Sequence, residues 1–155
     1  MTMIKKALAG LSLLAAFGIS AGPALGQLAG SSTFSTAGTS AEAAGEFLAR
    51  LQPAVAADRR DTVAGLIEYP ISAWIGGRSA TLRNRREFLA KYDAIFTKSL
   101  KATIAAAKVE NSWANWQGVM FDSGRIWLRP KGPNDSLRIV TINAPTNRPS
   151  ERPPP

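Results

Sequence analysis

The chain contains no cysteine and no histidine in its 155 residues. Without a thiol or an imidazole, cysteine nucleophiles, Ser-His-Asp triads and the common zinc sites are all excluded. A fold held outside the cytoplasm would have no disulfide to brace it, so its core must hold by packing alone. Carboxylates are also sparse, eleven against nineteen lysines and arginines. They are Glu42, Glu46, Asp58, Asp61, Glu68, Glu87, Asp93, Glu110, Asp122, Asp135 and Glu151, and none has the spacing of a calcium loop. Neither a metal nor a cofactor is expected. Long apolar runs are missing as well. The one candidate, from Ala7 to about Ile19, is shorter than the roughly 20 residues that a bilayer span takes.

That run has the flanks of a leader. Lys5 and Lys6 precede it and small residues lead to Gly26, the pattern of a signal peptide over residues 1–26. Cleavage there leaves no transmembrane span and places the mature chain in the periplasm or outside the cell. It removes two lysines and no acids, so the formal charge falls from +8 to +6. Export makes nucleic acid an unlikely partner for this basic surface. Anionic lipid, cell-wall polymer or an acidic envelope protein is more available. Residues 27–40, rich in Ser, Thr, Gly and Ala, read as a flexible spacer, and residues 144–155, with five prolines, as an extended tail. Residues 41–143 remain as a single domain.

Within that domain the pattern is helical first. Thr39 and Glu42 have capping-box spacing, and Ala44, Phe47, Leu48, Leu51 and Val55 recur at helical intervals, with a bend or break expected at Pro53. Asp58 should cap a short second helix through Val63, Leu66 and Ile67, ended by Pro70. ISAWI-GG-RSATL then reads as a hairpin turning on Gly76-Gly77, which pairs Ile75 with Arg78, Ala73 with Ala80 and Ile71 with Leu82. Its polar face carries Ser72, Trp74, Ser79 and Thr81. Asn84 and Glu87 predict a further capping box ahead of the stripe Phe88, Leu89, Tyr92, Ile95 and Phe96. Thr97 predicts a cap for a helix carrying Leu100, Ile104 and Ala107. In NWQGVMFDSGRIWL a turn at Ser123-Gly124 pairs Phe121 with Ile126 and Val119 with Leu128. This leaves Trp116, Gly118, Met120, Trp127, Arg125 and Arg129 on the other face. Leu137 to Asn143 reads as the last strand. With both hairpin faces suited to burial, the second either lines a cavity or makes a homodimer contact.

The order helix, helix, hairpin, helices and strand meander resembles the α+β cone of the nuclear-transport-factor-like (NTF2-like) superfold, which includes SnoaL-like and ketosteroid-isomerase-like proteins. More narrowly, YPISAWIGGRSATLRNRREFLAKYDAIFT (Tyr69 to Thr97), NWQGVMFDSGRIWL and TIN (Thr141 to Asn143) resemble a group of small exported bacterial proteins, which brings no catalytic residues with it. The resemblance implies N-terminal helices packed on a curved, mostly antiparallel sheet that encloses a cavity. Relatives use such a cavity for small apolar ligands, for proton transfer or for protein contacts, so the fold alone does not choose a function.

Three constellations carry chemistry. Asp93 beside Tyr92 supplies the parts of a carboxylate base and a phenol donor, the requirement of an isomerase or lyase. Tyr92 also belongs to an apolar stripe, and Asp93, one step round, is more simply a solvated charge. The aromatic residues Trp74, Tyr69, Tyr92 and Trp116 are the candidate ligand contacts, with Trp74 first because it is the sole aromatic on a polar hairpin face. Arg78, Arg83, Arg85 and Arg86 are the candidate site for an anion or acidic partner, weighed against arginines merely in water beside Glu87. The reading that results is a non-enzymatic exported protein binding a small ligand or an envelope protein, in the manner of an immunity or inhibitor protein. The competing class is the isomerase or lyase using Asp93 and Tyr92.

Overall fold

The computed structural model describes residues 33–131 and 136–145. The expected leader (1–26), part of the expected spacer and most of the Pro-rich tail lie outside the described residues. A helical turn at residues 33–36 comes first, with Phe34 and Ala37 buried in the core. The spacer expectation is therefore corrected for residues 33–40: Phe34 draws this stretch onto the domain, which begins before Ala41.

Helix α1 runs Ala41–Ala56 and α2 Arg60–Gly65. The cap of α1 is Ser40, whose hydroxyl accepts from the Ala43 N–H, and not Thr39. The helix also continues through Pro53. Ala44, Phe47, Leu48, Leu51, Ala54 and Val55 form its buried stripe. Asp58 does not cap α2. It takes a φ of +51° between the helices, and Arg59 stands at the cap position without a side-chain bond.

Strand β1 spans Ile67–Ile75 and β2 Arg78–Leu82. Leu66 and Ile67 were expected in α2, but the Leu66 carbonyl accepts from the Ile139 N–H and Ile67 pairs with Ile139. Sheet pairing thus overrides local helical spacing. Pro70, joined to Tyr69 by a cis peptide, lies inside β1 where its register with the neighbouring strand shifts, a place that tolerates a missing donor. Gly76 and Gly77, at φ +56° and +88°, make the turn, and the expected pairs Ile75–Arg78, Ala73–Ala80 and Ile71–Leu82 all form.

Helices α3 (Arg85–Ala90), α4 (Tyr92–Ile95) and α5 (Lys98–Ala106) follow. The cap at α3 forms, with Asn84 Oδ1 accepting from the Glu87 N–H, while the Glu87 carboxylate accepts from the Asn84 side-chain amide and from the N–H of Arg83, one residue before the cap. Lys91 leaves helical geometry, so the single expected helix becomes two. The stripe survives the break, with Phe88, Tyr92, Ile95 and Phe96 buried. The Thr97 hydroxyl caps α5 through the Leu100 N–H.

Strands β3 (Trp113–Asn115), β4 (Gly118–Phe121), β5 (Ile126–Lys131) and β6 (Ser136–Ile142) complete a six-stranded open sheet of order β2-β1-β6-β5-β4-β3. Every pairing is antiparallel except β1 with β6. The fold is α+β. One sheet face packs beneath the helices and contributes Ile71, Ala73, Leu82, Ala114, Val119, Phe121, Ile126, Leu128, Ile139 and Ile142 to the core. α1 packs against β6 and α5.

Candidate functional site

The expected catalytic pair is close in sequence but differently employed. Asp93 lies in solvent, its side chain 73% exposed, and both its oxygens accept from Arg60, at 2.8 and 2.9 Å. Tyr92 is fully buried. Its ring stacks on Phe96 at 4.5 Å, and Phe88 meets both edge-on at 6.0 Å. Its hydroxyl is buried without a hydrogen-bond partner, and burial pushes its pKa up to about 12. A general base needs a free carboxylate facing its substrate, and a phenol donor needs to point where an oxyanion forms. Asp93 and Tyr92 meet neither condition.

Around that ring stands a charge network the sequence did not reveal. The Arg60 guanidinium lies 5.0 Å from the Tyr92 ring centroid and the Lys101 ammonium 5.8 Å. Asp58 joins them at 3.0 Å each. Hydrogen bonds from Lys101, then Arg60, hold the Asp58 carboxyl below the usual carboxylate range. The partners are separated by as many as 43 residues. No local spacing signals such a contact.

The four expected ligand-contacting aromatics divide between two sides of the sheet. Tyr69 meets Phe88 edge-on at 6.2 Å and donates to the Ala64 carbonyl at 3.2 Å, and burial lifts its pKa to about 12. Together with Tyr92 it belongs to the helix-side core. Trp74 is 36% exposed on the opposite face, and Trp116, in the β3–β4 turn, is 77% exposed. The sheet thus separates the two tyrosines from the two tryptophans, and the four candidates do not lie on one side of it.

Of the four candidate arginines, Arg78 stands apart from the other three. Arg78 is at the hairpin tip and Arg83 beyond the other end of β2, roughly 17 Å away along an extended strand of this length. Arg85 is engaged with the Asp61 carboxylate at 2.6 Å, while Arg86 is exposed on α3. Arg125, expected on the outer face, is buried at 5% exposure and donates to the Ser99 and Thr103 hydroxyls of α5. Positive φ at Asp122 and Ser123 turns the loop so that this side chain reaches the helix side.

The outer face itself is the most distinctive surface. Directly paired residues share a face, and the registers place Trp113, Met120, Trp127, Thr141, Ser72 and Thr81 in one row across all six strands. Trp74 lies on the same face beside Ser79. All four tryptophans of the chain thus stand on this face or at its rim, and none is in the core. Trp113 is 38% exposed. A Cβ added at Gly124 would lie 3.4 Å from the Trp127 indole nitrogen and 3.5 Å from the Met120 sulfur, so the second turn packs closely against this pair. Trp74 was legible as an outlier on a polar strand face. The full row was not, because it depends on pairings between β1, β6 and β5.

Away from both regions, a shallow groove of about 690 Å³ runs between α1 and the 3₁₀ turn Val109–Asn111, lined by Leu48, Gln52 and Val109 among others. It contains none of the expected site residues. Among the described residues, no group of three or more acidic, His or Cys side chains is placed to hold a metal, and no helix is long and apolar enough to cross a membrane. No family model, curated protein or solved structure matches the chain.

Proposed function

We propose that the chain is an exported, non-catalytic binding protein of the nuclear-transport-factor-like cone type, acting on an envelope component through the outer face of its sheet. The observation that carries this reading is the location of all four tryptophans on or beside the one sheet face that none of the described helices covers. A domain this small normally spends its large aromatics on its core. Here phenylalanine and tyrosine fill the helix side while tryptophan is kept for the other. The order of helices, hairpin and meander supports the cone, and the leader sequence supports the periplasm or the exterior as its place. The isomerase or lyase alternative loses support from the same coordinates, since Asp93 is tied to Arg60 in water.

The test is site-specific photocrosslinking in cells that make the full chain. A photoreactive residue at Trp74 or Trp116 should give discrete adducts, whereas one at Arg86 or Ala94 on the helix side should not. Equal adducts from both sides, or none from the tryptophan positions, would overturn the proposal.

A further inference from the structure

We infer that the outer face binds a linear, carboxylate-bearing polysaccharide laid across the strands, with Trp113, Trp127 and Trp74 stacking on its rings and Arg129 and Arg138 meeting its acid groups. This rests on the binding-protein reading above and names its partner class. The first argument is spacing. Neighbouring strands lie about 4.8 Å apart, so Trp113 on β3 and Trp127 on β5 stand roughly 10 Å apart, about two pyranose rings along a chain. Trp74 is two strands further across and two residues along, roughly 12 Å from Trp127. Between the tryptophans lie Met120, Thr141 and Ser72. These are a soft apolar contact and two hydroxyls suited to sugar oxygens.

The second argument is charge. Arg129 and Arg138 are directly paired across β5 and β6, and their row runs parallel to the tryptophan row, roughly 7 Å from it. The Arg129 Nε donates to the Gln117 carbonyl at 2.8 Å, which orients the side chain and leaves its terminal nitrogens available. Arg138 is anchored by one nitrogen on the Gly65 carbonyl. Among the described strand residues of this face the one carboxylate is Glu68, and Lys131 pairs with it at 3.1 Å. A chain crossing the tryptophans would therefore present one edge to arginines and, among the described strand residues, meet no unpaired acid.

A single-stranded nucleic acid would also offer rings and negative charge. Proteins that bind it stack successive bases on aromatic side chains, however, and here residues of other kinds separate each tryptophan from the next. The spacing favours the sugar chain.

The experiment titrates the full chain with a hexauronate from alginate, with cellohexaose as a neutral chain and with a short oligothymidylate. Tryptophan emission is the readout, because every tryptophan borders the proposed site. The hexauronate should give a saturable change and bind more tightly than either of the others. Trp113→Ala and Trp74→Ala should each weaken it about tenfold, and Arg129→Gln should weaken it similarly while flattening the salt dependence. Circular dichroism confirms that each variant keeps its fold. The inference is overturned by hexauronate binding that survives both tryptophan changes, by tighter binding of oligothymidylate or cellohexaose, or by no saturable response to hexauronate. Crosslinks from Trp74 and Trp116 in cells would then still support the broader reading, and their absence would remove it.

Discussion

Tyr92 shows how one residue changes meaning when its surroundings are known. Beside Asp93 in the sequence it is half of a proton-transfer pair, yet in the fold it is one ring of a four-ring aromatic cluster, stacked on Phe96 under a roof of opposed charges. Both tyrosines of the chain have pKa values pushed to about 12 by burial. An unfolded tyrosine ionises near 10. Between about pH 10 and 12 the unfolded state therefore binds fewer protons than the folded one, and stability falls as pH rises through that window. Below it, the two phenols contribute no slope. A spectrophotometric titration should accordingly detect no tyrosinate in the native protein at pH 10, and both groups should titrate near 10 in denaturant. Native tyrosinate appearing near pH 10 would contradict the burial described.

At the scale of elements, the hairpin registers were legible and their destinations were not. Gly76-Gly77 and Ser123-Gly124 are turn signals with a local cause, positive φ, and they fixed five of the observed cross-strand pairs. Asn84 and Glu87 were equally plain, because the cap they form is complete within a few neighbouring residues. The onset of β1 at Ile67 was hidden, since its cause is Ile139 in the last strand. The site suffered most from this blindness. Trp74 and Tyr92 were legible as unusual residues, but which side of the sheet each occupies depends on where the helices pack. Arg60 gave no hint that it would reach Asp93, 33 residues on.

One element carries a sharp prediction of its own. Gly118 opens β4 at φ +134°, and a Cβ there would run into the Leu128 carbonyl and lie 3.2 Å from the Arg129 Cγ. Gly118→Ala should thus destabilise the domain by about 2 kcal/mol or more, measured by urea unfolding. Gly65→Ala meets nothing within 4 Å and has no unusual φ. It should be neutral or stabilising by up to about 1 kcal/mol.

Over the whole molecule, the two sheet faces divide the buried core from the proposed binding surface. The helix-side face holds Phe47, Phe88, Tyr92, Leu100 and Leu128, each at most 1% exposed, and removing Phe88 as Phe88→Ala should cost about 3–5 kcal/mol. Trp74→Ala and Trp116→Ala, on partly open surface, should each shift unfolding by less than about 1 kcal/mol. If either tryptophan change costs as much as Phe88→Ala, the outer face is structural and its availability for binding is lost.

The position of β6 has a consequence for how the chain is made. The last strand lies between β1 and β5, so it alone joins the β1–β2 hairpin to the β3–β4–β5 meander. Until residues 136–142 arrive, each half presents an open strand edge and a bare apolar face. A nascent chain can form its two hairpins early, but it cannot close the sheet while its C-terminal part is still in the ribosome or a translocation channel. Under the export proposed above, this delay would keep the polypeptide threadable until its final strand is released.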